Sequence, residues 1–200
     1  MSGQERIMQR APLLTPNEVA ALANTSKGVI DKAIEQKVLP SVGGRRARPR
    51  LLPFYAVALA ATVESLGRRL TVEDKKLVAR KLARLTPAAL KTAKIEVFPC
   101  VVVHVGSVSR RAVERAEHYT SARDNLIERV EGVQGGRPVI KGTRLTVSAI
   151  YGRLSSGELI DDLVEDYPGI PRKAFEAAYL YGKTHPKIGR PSVGGTEQSA

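Results

Sequence analysis

Tryptophan is absent from the 200-residue chain, phenylalanine occurs three times, tyrosine six times and cysteine once. So few aromatics mean aliphatic cores. They also count against an RNA-binding adaptor, since RNA modules read bases by stacking them on aromatic side chains. A single cysteine, Cys100, excludes an internal disulfide framework and fits a reducing, cytoplasmic setting. It lies in the apolar run VFPCVVVHV, where a lone thiol behaves as a small hydrophobe. The three histidines, His104, His118 and His185, have no cysteine partner at zinc-finger spacing and form no HExxH. There is no G-x-S-x-G elbow. Asp161, Asp162, Glu165 and Asp166 crowd one helical stretch, the pattern of a solvated face. With no catalytic constellation, the chain reads as a non-enzyme that needs no cofactor or metal. The apolar runs near 56–63 and 101–105 are too short to span a bilayer. The start, MSGQERIMQR, lacks the apolar segment of a signal peptide, so no membrane association is expected.

Positive charge is what the chain has in excess: 32 Lys and Arg against 20 Asp and Glu. The excess is uneven. Residues 1–130 hold 23 basic and 12 acidic residues, residues 131–200 hold 9 and 8. A basic front and a near-neutral back suggest a nucleic-acid-binding part joined to a part with another task, although many small soluble proteins are basic without a specific partner.

Local signals give a mainly α chain with a few short strands, an α+β class. Thr15-Pro16-Asn17-Glu18 is a helix start with a capping box. Its helix breaks at ANTS, and Thr25 or Ser26 caps a second helix with Val29, Ile30, Ala33 and Ile34 on one side and Lys27, Asp31, Lys32 and Glu35 on the other. LPSVGGRRARPRLLP follows, with a glycine turn and Arg45, Arg46, Arg48 and Arg50. FYAVALAATVESLG reads as a buried helix, Thr71 caps the next, and Thr86-Pro87 starts a short one. KIEVFPCVVVHVGSV predicts a strand or hairpin interrupted near Pro99. Helical spacing returns from SRRAVERAEHY through Val130. Three helical segments, SAIYGRLSS, ELIDDLVEDY and PRKAFEAAYLYGKTH, close the chain before a Gly/Pro/Ser-rich tail.

Helix, tight turn, second helix and an Arg-rich ribbon make the order of a winged helix-turn-helix. The second helix would offer Ser26, Lys27, Asp31 and Lys32 to the major groove, and the ribbon would bring Arg45, Arg46, Arg48 and Arg50 to phosphates or the minor groove. The alternative is an ordinary helical hairpin with a charged loop. LTPNEVAALANTSKGVIDKAIEQKVLP also resembles the N-terminal helix-turn-helix of MerR-like regulators, without the metal-ligating cysteines of their metal-sensing members.

The stretch GGRPVIKGTRLTV, residues 135–147, has the ingredients of a phosphate loop in the wrong order. A Walker A motif needs G-x-x-x-x-G-K-[ST], but the sixth position from Gly135 is Ile140, and from Gly136 it is Lys141. A small hairpin around Lys141-Gly142-Thr143 is expected instead, with Arg144 paired to the acidic helix. Residues Gly136, Pro138, Ile140, Gly142, Thr143, Arg144, Leu145 and Val147, then Ile150, Leu154, Gly157, Tyr167, Pro168, Ala178 and Tyr181, resemble the prokaryotic domain-of-unknown-function family 433, with Gly182 where Ala is usual. That resemblance implies a small helix-turn-helix-like domain of type II antitoxins. With the N-terminal helices, the chain is similar to larger VapB-type antitoxins, whose partner is a PIN-like, Mg²⁺-dependent ribonuclease toxin.

The expected organisation is a winged helix-turn-helix in 1–60, a helix- and strand-containing middle region able to dimerise in 61–130, an antitoxin-like domain in 131–185 and a flexible tail in 186–200. The expected function is to neutralise a toxin and repress the operon as a homodimer on operator DNA. His185, Lys187 and Arg190 are the candidate toxin contacts. The alternative is a stand-alone transcription regulator whose C-terminal domain only dimerises.

Overall fold

The computed structural model describes residues 11–43, 49–66, 70–99 and 101–186. Cys100, Arg45, Arg46, Arg48, Lys187 and Arg190 lie outside them. The protein is mainly helical with short antiparallel strands. Among the described residues, no helix is long and apolar enough to cross a membrane.

Capping sets the early helices. In α1 (Pro16–Ala23) the Thr15 hydroxyl accepts from Glu18 N–H and the Glu18 carboxylate accepts from Thr15 N–H, the expected reciprocal box. Ser26 caps α2 (Lys27–Glu35). Helix α3 (Ala56–Leu66) has alanines and valines over most of its surface, so it is buried nearly all round from Ala56 to Thr62. The Thr62 hydroxyl is satisfied by donating to Ala58 O. Thr71 and Asp74 box the start of α4 (Val72–Leu82), and Thr86 caps α5 (Pro87–Leu90).

The hairpin interrupted at Pro99 is present: β1 (Ile95–Phe98) pairs antiparallel with β2 (Val101–Val103). The strand ends earlier than the sequence suggests. Helix α6 already begins at Val105 and runs to Leu126. Gly106 allows this, because its N–H donates to Ala93 O and a Cβ there would lie 2.6 Å from Lys91 O. Helical spacing was expected to reach Val130, but Ile127–Glu128 is extended as β3 and pairs with β4 (Val139–Ile140). Strand pairing of Ile127 with Ile140 and of Glu128 with Val139 outweighs local periodicity here.

Helix α6 is the scaffold. It packs on α1, α3, α5 and α9. One aliphatic core runs from Leu14 to Ala122 and takes in Ala177 of α9. A buried polar cluster pins α1 to α6. The Glu18 carboxylate, 1% exposed, accepts from the Tyr119 hydroxyl (2.6 Å) and Arg123 (2.9 Å) as well as from Thr15 N–H. Burial pushes the Glu18 carboxyl up, but the donors from Tyr119, Thr15 and Arg123 outweigh it and hold it below the usual value. Burial and the adjacent Glu18 charge push the Tyr119 hydroxyl up.

The C-terminal unit comprises β3, β4, α7 (Val147–Ser155), α8 (Ile160–Asp166) and α9 (Arg172–Thr184) around a second core of Ile140, Val147, Ile150, Leu163, Phe175 and Ala178. Leu126, Ile127 and Tyr181 pack against both cores. Asn17 of α1 donates to Thr184 O at the end of α9.

Candidate nucleic-acid interface

Helices α1 and α2 are joined by a turn that depends on Asn24, whose φ of 55° lies in the left-handed region that Asn tolerates. Thr25 N–H bonds back to Ala20 O, and the Thr25 hydroxyl donates to Glu64 of α3, fixing the exit direction. Ile30 is the only fully buried residue of α2, against five in α1. The rest of α2's apolar side is half-buried on the core, leaving its polar face open. Ser26, Lys27 and Lys32 are exposed and Asp31 is half-buried. These four residues share one helix and its cap, with Lys27 and Asp31 ion-paired one turn apart.

After α2, Val38 and Leu39 anchor the chain in the core. The chain then doubles back. Val42 and Leu51 exchange backbone hydrogen bonds of 2.9 and 2.8 Å, and Leu14 pairs with Leu52. Gly43 has φ of 84°, and a Cβ there would sit 2.5 Å from Pro49 O, so the two arms approach this closely only with glycine. These bonds hold the two ends of the arginine-rich segment side by side and tie the returning arm to the chain just before α1. Arg50 is exposed on the returning arm.

The 135–147 stretch is closed to phosphate at its central turn. Gly142 N–H, which a phosphate cradle would aim at a ligand, donates to the Glu128 carboxylate. The Thr143 hydroxyl donates to Ile140 O and accepts from Leu145 N–H. The expected hairpin is reduced to the Val139↔Thr146 bridge, because the strand partner of β4 is β3. The pairing expected for Arg144 is also corrected. The acidic helix is braced by Arg153, which holds Glu158 and Asp166, and by Arg172, which holds Asp161. Arg153 reaches them because it ends α7 beside α8, while Arg144 is exposed on the turn with no ion pair among the described residues. Those carboxylates hold the Arg153 and Arg172 guanidinium groups above their usual value.

His185 lies at the base of the tail. Its ring stacks on Tyr181 at 4.0 Å and 7°. Its Nδ1 lies 3.1 Å from both the Tyr181 carbonyl and the Thr184 hydroxyl. It is half-buried, and it ties down the end of α9. The Glu18–Tyr119–Arg123 cluster was not legible in the sequence. Its only signal is the Tyr119–Arg123 spacing on one face of α6, which does not name a partner a hundred positions away. Among the described residues no group of three or more His, Cys, Asp or Glu side chains is placed to hold a metal ion.

Residues 127–181 match the family model described as "Protein of unknown function (DUF433)". Over 193 residues, 92% of this chain and 87% of the relative, the chain is 24% identical to the "Uncharacterized protein y4eO" of Sinorhizobium fredii (strain NBRC 101917 / NGR234). That similarity spans the N-terminal helices as well as the 127–181 segment. No solved structure matches.

Proposed function

We propose that this chain is a DNA-binding antitoxin: a winged helix-turn-helix in 1–60 binds operator DNA, and the C-terminal part neutralises a PIN-like toxin. The observation that carries the DNA half is α2, a Ser26-capped helix with one fully buried residue and an open polar face, followed in the chain by the ribbon whose ends meet at Val42 and Leu51. In this reading Ser26, Lys27, Asp31 and Lys32 enter the major groove, and Arg45, Arg46, Arg48 and Arg50 meet the backbone or the minor groove. The antitoxin half rests on the resemblance of the 127–181 unit and on its position behind a DNA-reading front. A PIN-like active site is a cluster of acidic side chains, which Lys187 and Arg190 suit by charge, and His185 anchors the point where that arm leaves α9.

The operator-bound form is a homodimer. Strand β2 has one partner among the described residues, β1, and presents Val101 (49% exposed) and Val102 (47%) beside Phe98 (53%). A strand edge of this kind pairs readily with another copy of itself across a two-fold axis. The antitoxin half is tested by expressing the neighbouring reading frame alone and together with this chain. Growth arrest alone, relief on co-expression and co-purification support the reading. A harmless neighbour that does not bind overturns it in favour of a stand-alone regulator.

A further inference from the structure

We infer that a basic pocket at the C-terminal end of α9 binds backbone phosphates of the same DNA that α2 engages, making the C-terminal unit a second DNA-contacting surface. The inference rests on the DNA-binding reading above. The pocket encloses about 780 Å³ and is walled by Arg129, Arg137, Tyr151, Tyr181, Lys183 and His185. None of its described lining residues is acidic. Arg153 and Arg172 in the same unit are committed to carboxylates, whereas the Arg137 and Lys183 side chains make no ion pair or hydrogen bond among the described residues. Arg129 is held in place by donating to Gly136 O and to the Tyr181 hydroxyl, and two bonds leave further guanidinium N–H groups to give.

The walls are built for this shape. Gln134, Gly135 and Gly136 all have φ between 48° and 70°, a sharp turn that brings Arg137 round to face α9. Gly182 stands where the resembled pattern has Ala, and a Cβ there would lie 2.6 Å from the Tyr151 Cβ. Glycine lets Tyr151 rest directly on α9.

Position decides between DNA and an acidic protein as the occupant. Lys183 also lines a shallow groove with Asn17, Asn24 and Lys27, at the turn leading into α2. One lysine is thus shared by the pocket and the α1–α2 turn. A strand of DNA meeting the start of α2 has its phosphates within reach of Lys183 and, beyond it, of the pocket.

The test uses the full-length chain and a labelled duplex from directly upstream of its reading frame, titrated over a series of salt concentrations. Arg137→Gln/Lys183→Gln should weaken binding and flatten the log K–log[salt] slope by about two, each phosphate contact being worth about 0.9. Lys141→Gln/Arg144→Gln removes the same charge from the same unit outside the pocket and should leave the slope as it was. Lys183→Glu alone, on the exposed end of α9, supplies a second variant with little demand on folding. A wild-type slope in the pocket variants, or an equal loss in the control, overturns the inference while leaving DNA binding intact. No binding by the wild-type chain removes the DNA reading itself. Unchanged DNA affinity with loss of co-purification of the neighbouring product assigns the pocket to an acidic protein and also overturns the inference.

Discussion

At the scale of single residues, the most consequential side chain is Glu18. It closes the α1 cap and receives Tyr119 and Arg123 of α6 in a site 1% exposed. Replacing it by Gln leaves Arg123 without its buried counter-charge and should cost about 3 kcal/mol in urea or thermal unfolding. Tyr119→Phe removes one hydrogen bond to a charged group and should cost about 2 kcal/mol. The pH dependence follows from the lowered Glu18 carboxyl. A carboxyl held below its ordinary value, 4.5, contributes stability that is complete above that value and is lost as pH falls through the folded-state value. Wild type should therefore lose stability on acidification below pH 4.5, and Glu18→Gln should lose less over the same window; parallel acid limbs would contradict this. The caps at Thr15, Ser26 and Thr71 were legible in the sequence because a cap is a bond between residues three apart. The partner of Arg144 was not. Which arginine meets the acidic helix depends on where α7 ends, and that places Arg153 there.

At the scale of elements, glycines decide how closely parts meet. Gly106→Ala would put a Cβ at 2.6 Å from Lys91 O and 2.7 Å from Thr92 Cα, both backbone atoms that cannot rotate away. The start of α6 must then shift from α5, at a cost of about 2 kcal/mol. A substitution that leaves the melting temperature unchanged would show the contact to be loose. Element identity was mostly readable. Pro99 marked the hairpin, and the Ala/Val surface marked α3 as buried. The end of α6 was not readable, since Ile127 and Glu128 continue the helical spacing and become strand only because Val139 and Ile140 lie alongside. The exposed edge of β2 carries a prediction at this scale. Val102→Lys places a charge on the proposed dimer seam and should shift sedimentation from dimer to monomer without loss of helix signal. A dimer that persists would move the seam elsewhere.

At the scale of the molecule, two cores meet along a seam of Leu126, Ile127 and Tyr181, with the end of α9 bonded to the start of α1. The uneven charge distribution was readable from counts, and the 135–147 stretch marked the C-terminal unit. What no local pattern revealed is that the end of α9 returns to the α1–α2 turn, where Lys183 and Lys27 line one groove. On the reading proposed above, the basic N-terminal part reads DNA. The most direct test of that reading is fluorescence anisotropy on the segment upstream of the gene and on a scrambled duplex of equal length, with wild type and with Arg45, Arg46, Arg48 and Arg50 all changed to Ala. Wild type should bind the upstream segment at least about 10³-fold more tightly than the scrambled one. The fourfold variant should lose affinity and flatten the salt slope by three or more, at about 0.9 per phosphate contact. Equal affinity for the two duplexes, or a variant that binds as wild type does, would contradict that reading.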